Sequence, residues 1–243
     1  MKHSYSFFLF LFIVMEGSIS LNAQNFKTIR GEGRVVTQDR NSGNFNEIYT
    51  HGSFDVEITD ASSHSVKVEA QQNLQEYIEV EIKGSELHIR NKKGYTIKGE
   101  KEIMIHITAP ALKGIYLSGS GNINSTNQLT GSQQFEIKSS GSGNISLNIE
   151  TSSLQSSISG SGNITLKGKT NSFEGKIAGS GNIRAREMQS AITSVKISGS
   201  GSAQVVATEK LDTKIAGSGD VKYWGDASVS SKVAGSGTVS KQK

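Results

Sequence analysis

Cysteine is absent from this chain, and proline occurs once in 243 residues. Without a thiol there is no disulfide framework, no cysteine-ligated zinc or iron-sulfur cluster, and no lipid-bearing cysteine behind an export signal. The near-absence of proline excludes a proline-rich linker or collagen, although 27 residues are glycine. Long apolar runs are also missing. The only one, Phe7 to Met15, is too short to cross a bilayer. It follows Lys2 and His3 and leads into the small residues around Ser18 to Ala23, which is the pattern of a secretory signal occupying residues 1–23, cleaved near Ala23/Gln24. The mature chain is therefore expected to be exported, to the periplasm, the outer surface or the medium, with no membrane span of its own. Its formal charge of +4 is spread among many acids. Acidic polysaccharide or lipid head groups suit such a surface, whereas export argues against nucleic acid.

What is present is a repeat. Gly-Ser-Gly recurs seven times: Gly119 to Gly121, Gly141 to Gly143, Gly160 to Gly162, Gly179 to Gly181, Gly199 to Gly201, Gly217 to Gly219 and Gly235 to Gly237. Successive copies lie 22, 19, 19, 20, 18 and 18 residues apart, too short for a helical pair and right for one coil of two strands. Two positions before the first glycine stand Leu117, Ile158, Ile177, Ile197, Ile215 and Val233; four after it stand Ile123, Ile145, Ile164, Ile183, Ala203, Val221 and Val239. Even offsets thus point inward on both sides, which reads as strand, sharp corner, strand. The second copy places Ile137 four before and Ser139 two before. The variation in spacing is assigned to the segment opposite the corner. Glycine suits a corner whose backbone lies one strand spacing from its copies, since it takes positive φ and carries no Cβ to collide. The residue three after each first glycine, Asn122, Asn144, Asn163 and Asn182, then Ser202, Asp220 and Thr238, is placed to form a polar ladder from coil to coil.

The SGSGNI corners, with the GSFDVEI, QQNL and ELHIR stretches between residues 52 and 90, resemble the bacterial family described as "putative autotransporter adhesin, head GIN domain", over about Asn44 to Val239. The resemblance implies a β-solenoid of the pectin-lyase-like kind without that family's catalytic residues, and an adhesive role. Together these readings predict an all-β chain: a right-handed parallel β-helix with about 18–22 residues per coil over residues 113–243, capped by an N-terminal β region over residues 24–112.

Sites of chemistry are sparse. His51, His64, His88 and His106 precede the repeat, and no third ligand accompanies His88 and His106 at a metal-binding spacing. The glycine corners lack the G-K-[ST] ending and following helix of a phosphate loop, and only Asp220 puts a carboxylate just after a corner, so calcium rolls do not fit either. No cofactor is called for. The repeat region's acids, among them Glu150, Glu187, Glu209 and Asp226, are spread along the solenoid instead of paired, which disfavours polysaccharide cleavage, the second reading. Three residues before the corner, on the outward side, stand Lys138, Lys176, Lys196, Lys214 and Lys232, broken only by Ser157. They form a candidate anion-binding column, partly offset by Glu136, Glu174 and Asp212 two residues earlier. The favoured reading is a non-enzymatic solenoid that binds a surface glycan or envelope protein; an envelope lipid-associated protein is the third.

Overall fold

The computed structural model describes residues 26–40 and 43–243. The expected signal sequence therefore lies outside the described residues.

The N-terminal part contributes β1 (Lys27–Arg30), β2 (Val35–Arg40), β3 (Glu47–Gly52), β4 (Asp55–Asp60) and β5 (Ser65–Gln71). A 3-10 turn at Gln72–Tyr77 follows, then β6 (Ile78–Lys83), β7 (Glu86–Asn91), β8 (Tyr95–Lys98) and β9 (Met104–Ala109). The repeat gives β10 (Gly114–Gly119), β11 (Asn122–Thr130), β12 (Gln134–Gly141), β13 (Asn144–Gly160), β14 (Asn163–Gly179) and β15 (Asn182–Gly199). It ends with β16 (Ser202–Val206), β17 (Lys210–Gly217), β18 (Asp220–Trp224), β19 (Ser228–Gly235) and β20 (Val239–Lys241).

These strands stack as a β-solenoid with two parallel sheets. One sheet leads into the glycine corner, in the order β7, β3, β10, β12, then the second halves of β13, β14 and β15, then β17 and β19. The other leads out of it, in the order β9, β4, β11, the first halves of β13 to β15, β16, β18 and β20. The core lies between them. Ile158, Ile177 and Ile197 before the corner and Ile123, Ile145, Ile164 and Ile183 after it are all buried, as the alternation requires. Each such side chain contributes about 1.5–3 kcal/mol of transfer free energy. At the last coil the same positions open out: Val229 and Val233 are each 40% exposed.

Parallel stacking reaches further toward the N-terminus than the Gly-Ser-Gly copies do. Gly52 aligns with Gly119, Ile48 with Ile115 and Val56 with Ile123, so β3 and β4 form a coil with a Gly52-Ser53-Phe54 corner. Below it lie β7 and β9, with residues 92–103 in place of a corner. Antiparallel strands then close the stack, β6 on β7 and β5 on β9, with β2 beyond β5. Such pairing saturates backbone groups that an open parallel edge leaves exposed. β1 and β8 form a separate parallel pair.

The slack in coil length sits only partly where the sequence suggested. β13, β14 and β15 are unbroken over 17, 17 and 18 residues, so the segment opposite the glycine corner is bent strand, not loop. Thr170 and Ser190 turn it, their hydroxyls lying 3.0 Å from the carbonyl of Ser172 and 2.9 Å from that of Ile192. Part of the extra length is taken up as register shifts in the outgoing sheet, within Asn124–Gln128 of β11 and in β15 opposite Thr165–Lys167, and part in the turn opposite the corner, at residues 131–133 and 186–191. A bulge in the outgoing sheet leaves both corners in line.

Candidate functional site

Three features of the surface repeat from coil to coil: the corner, the ladder beside it and the column in front of it. The corner is built by eight stacked glycines, from Gly52 through Gly119 to Gly235. Both glycines of each copy lie against a backbone carbonyl of the adjacent coil, and the first also needs a positive φ. Gly179 has φ +125, and a Cβ on it would lie 2.5 Å from the carbonyl oxygen of Gly160. Gly181 has no positive φ, but a Cβ there would run into the carbonyl oxygen of Gly162 and meet Ile158 Cγ2 at 2.7 Å. The close approach is used: the Gly160 carbonyl accepts N–H bonds from both Ser180 and Gly181, at 3.0 and 3.1 Å.

The polar ladder forms. Asn144 Nδ2 donates to Asn122 Oδ1 at 3.0 Å, Asn163 to Asn144 at 2.9 Å and Asn182 to Asn163 at 2.9 Å. All amides point the same way, so the chain of donors ends at the N-terminal side on a carboxylate: Asn122 Nδ2 donates to Asp55 Oδ1 at 2.7 Å. Asp55 stands three residues after Gly52, the equivalent position in a coil whose corner is not Gly-Ser-Gly. At the other end the ladder stops at Ser202, whose backbone N–H donates to Asn182 Oδ1 at 3.3 Å.

The lysine column is in register. Lys176, Lys196, Lys214 and Lys232 pair on consecutive strands and all are exposed; Ser157 separates them from Lys138. Neutralisation is uneven. Lys138 meets Glu136 at 2.7 Å, while Glu174 serves both Lys176, at 3.0 Å, and Lys196, at 3.2 Å. Partial burial pushes the Glu174 carboxyl up, but hydrogen bonds from Lys176 and Lys196, and their charge, outweigh it and hold the group below its ordinary value. Glu136 behaves alike, burial being outweighed by Lys138 and Tyr116. Among the described residues Lys214 and Lys232 make no ion pair, and Asp212 does not reach either of them within salt-bridge distance. The positive charge is thus free at the C-terminal end of the column.

Toward the N-terminus the same column becomes aromatic. Tyr116 stacks on Tyr49 with centroids 4.2 Å apart, and Tyr49 on His88 at 4.8 Å. Lys138 Nζ sits 5.5 Å from the Tyr116 centroid, joining rings to lysines. Each ring has its carboxylate: Tyr116 donates to Glu136 at 2.9 Å, Tyr49 to Glu47 at 2.9 Å, and His88 Nε2 lies 2.8 Å from Glu86. Burial, then the bond to Glu47, pushes the Tyr49 hydroxyl up to about 12. The sequence reading missed these rings. The signal was there in IYTHGSF at 48–54, which matches IYLSGSG at 115–121 once Phe54 is allowed at the second glycine. His106, by contrast, lies between Glu57 and Glu69, at 3.1 and 3.5 Å, so the two histidines have separate partners. No group of three metal-ligating side chains is found among the described residues.

Comparison with known proteins bears on this geometry directly. The family model described as "Putative auto-transporter adhesin, head GIN domain" matches residues 44–227. The chain belongs to that family. Among solved structures, the domain is similar to a "putative adhesin" from Bacteroides fragilis, with 26% identity over 88% of this chain and 100% of the other and a TM-score of 0.84. It is also similar to a "putative lipid binding protein" from Parabacteroides distasonis, at 29% identity, 89% and 100% coverage and a TM-score of 0.75. A "putative adhesin" from Parabacteroides merdae matches at 25% identity, 89% and 99% coverage and a TM-score of 0.73. No curated protein is significantly similar to the chain. No helix among the described residues is long and apolar enough to cross a membrane.

Proposed function

We propose that this head GIN domain is an exported, non-enzymatic adhesion module that holds an anionic surface or envelope polymer along its lysine column. The observation that carries the reading is the uneven pairing of that column: Lys214 and Lys232 are exposed and, among the described residues, without a carboxylate, next in register to Lys196 and Lys176. Ammonium bases one strand spacing apart repel by roughly 1 kcal/mol per neighbour in water. A polyanion laid along the solenoid axis relieves that repulsion at several points at once, so many weak contacts add to a firm hold. The adhesin descriptions of the family and of the Bacteroides fragilis neighbour support adhesion as the class of function. Export through the N-terminal apolar segment supplies the location such a role needs.

The test is an array of glycans and envelope polymers probed with the purified mature chain. Binding confined to anionic polymers, and lost as salt is raised, is the expected result, since exposed charges are screened beyond about 10 Å at 0.1 M. Binding to neutral glycans alone would overturn the reading.

A further inference from the structure

A second site lies on the other sheet, at the place where the asparagine ladder stops. The strands β15, β16 and β18 set two columns of three residues side by side there. Asn182, Ser202 and Asp220 are in register, and two residues further along the same outward face so are Arg184, Gln204 and Lys222. Because Ser202 is shorter than the asparagines of the preceding coils, the surface drops into a notch of about 240 Å³ lined by these side chains. Arg184 and Lys222 flank Gln204 from the two neighbouring strands, about 10 Å apart at their bases, which is the width of two strand spacings. Neither cation makes an ion pair among the described residues, and both are exposed.

The floor of the notch is selective. Asp220 Oδ1 accepts bonds from the Thr238 N–H at 2.9 Å and the Thr238 hydroxyl at 2.6 Å, which fixes the carboxylate and leaves its second oxygen without a donor among the described residues. Those bonds, the hydroxyl first, hold the Asp220 carboxyl below its ordinary value, so it is charged at neutral pH. Asp220 repels any anionic group set against it, so a ligand's charge must sit at Arg184 and Lys222 with neutral hydroxyls facing Asp220, which an ion as small as phosphate does not separate. A ligand that carries a carboxylate for the two cations and hydroxyl donors for Asp220, Gln204 and Ser202 satisfies every group at once. Two residues beyond Lys222 on the same face stands Trp224, braced by the Arg186 guanidinium 4.8 Å above its ring.

We infer that this notch is a binding site for one carboxylated sugar residue, of the uronic-acid type, gripped between Arg184 and Lys222 and oriented by Ser202, Gln204 and Asp220. It uses none of the lysine column. Trp224 is the chain's only tryptophan, so its fluorescence reports on this patch alone.

The experiment titrates the mature chain with a short oligogalacturonate, a neutral oligoglucan of equal length and inorganic phosphate, reading Trp224 emission. The oligogalacturonate is expected to give a saturable change and the other two none. Arg184→Gln should weaken the titration about tenfold, the usual result of removing a charge-assisted hydrogen bond. Ser202→Asn is the sharper variant, because an asparagine there extends the ladder toward Asn182 and fills the notch; binding should vanish while the melting temperature holds or rises. The triple variant Lys196→Gln, Lys214→Gln, Lys232→Gln should keep the fluorescence titration, which separates this site from the lysine column. An equal response to phosphate or to the neutral glucan, or unchanged affinity in Ser202→Asn, would overturn the assignment.

Discussion

Replacing Gly179 by valine puts the whole corner geometry at risk in one position. The residue has φ +125, a region that costs an L-residue roughly 1–3 kcal/mol, and more for a β-branched one. Its Cβ would sit 2.5 Å from the Gly160 carbonyl oxygen, so the strands must part. Parting them strains the bonds that this carbonyl accepts from Ser180 and Gly181, at 3.0 and 3.1 Å, each worth about 0.5–1.5 kcal/mol. The sum is about 2–6 kcal/mol, or a fall in melting temperature of roughly 4–24 °C for a domain near this size. Ser180→Ala is the control. Its side chain is exposed at the same corner, so it should stay within about 0.5 kcal/mol of wild type. Position along the stack is a second control. Gly235 has the same conformation, φ +130, but its strand β19 is exposed throughout. That coil is free to peel away alone, as expected of quasi-one-dimensional repeats, so Gly235→Val should cost clearly less than Gly179→Val. Thermal melts followed by circular dichroism measure all three. Equal melting temperatures for Gly179→Val and Ser180→Ala would refute the account of why the corner is glycine.

Glu174→Gln should do two opposite things. Retention on an anionic polymer should rise, because Lys176 and Lys196 lose their shared carboxylate, while stability at neutral pH falls slightly. In the wild type the Glu174 carboxyl is depressed in the folded state, so its contribution is complete above the ordinary carboxylate value of about 4.3 and fades as the pH falls through the lower folded value; melting temperatures of the two proteins should converge in acid. Asn163→Ala removes a bond to Asn144 and leaves the Asn182 amide without its acceptor, which should lower stability by about 1 kcal/mol in denaturant titration; no change would mean that the exposed ladder is replaced by water at no cost.

The repeat made much of the fold readable. Period-two alternation about each glycine placed Ile158, Ile177 and Ile197 inside and the lysines outside, because side-chain direction in a strand is fixed by parity. The asparagine ladder was readable for the same reason: identical residues at identical offsets must meet when coils stack in register. What escaped was whatever breaks the repeat. The coil at Gly52 hides behind Phe54 and a 67-residue separation from Gly119, which holds β4, the coil of β7 and β9, and the capping strands β5 and β6. With it went the Tyr49 and Tyr116 stack, since neither ring follows the lysine pattern. The bulges escaped because a spacing counts extra residues without saying where they leave the ladder. The charge balance of the column was only half legible. Parity showed that Glu174 and Asp212 share the lysines' face, but that Glu174 serves two lysines while Asp212 serves none is a matter of side-chain reach. The notch at Ser202 was visible only as a departure from asparagine, and its meaning comes from the two cations that register brings beside it.

Elution from an acidic-polysaccharide column across a salt gradient tests the lysine column most directly. Wild type and the triple variant Lys196→Gln, Lys214→Gln, Lys232→Gln are compared, with matched melting temperatures as evidence that the exposed substitutions leave the fold intact. The variant should elute at markedly lower salt than the wild type, because the unpaired end of the column is gone. If the two elute together, the column is a solvated face with no part in adhesion.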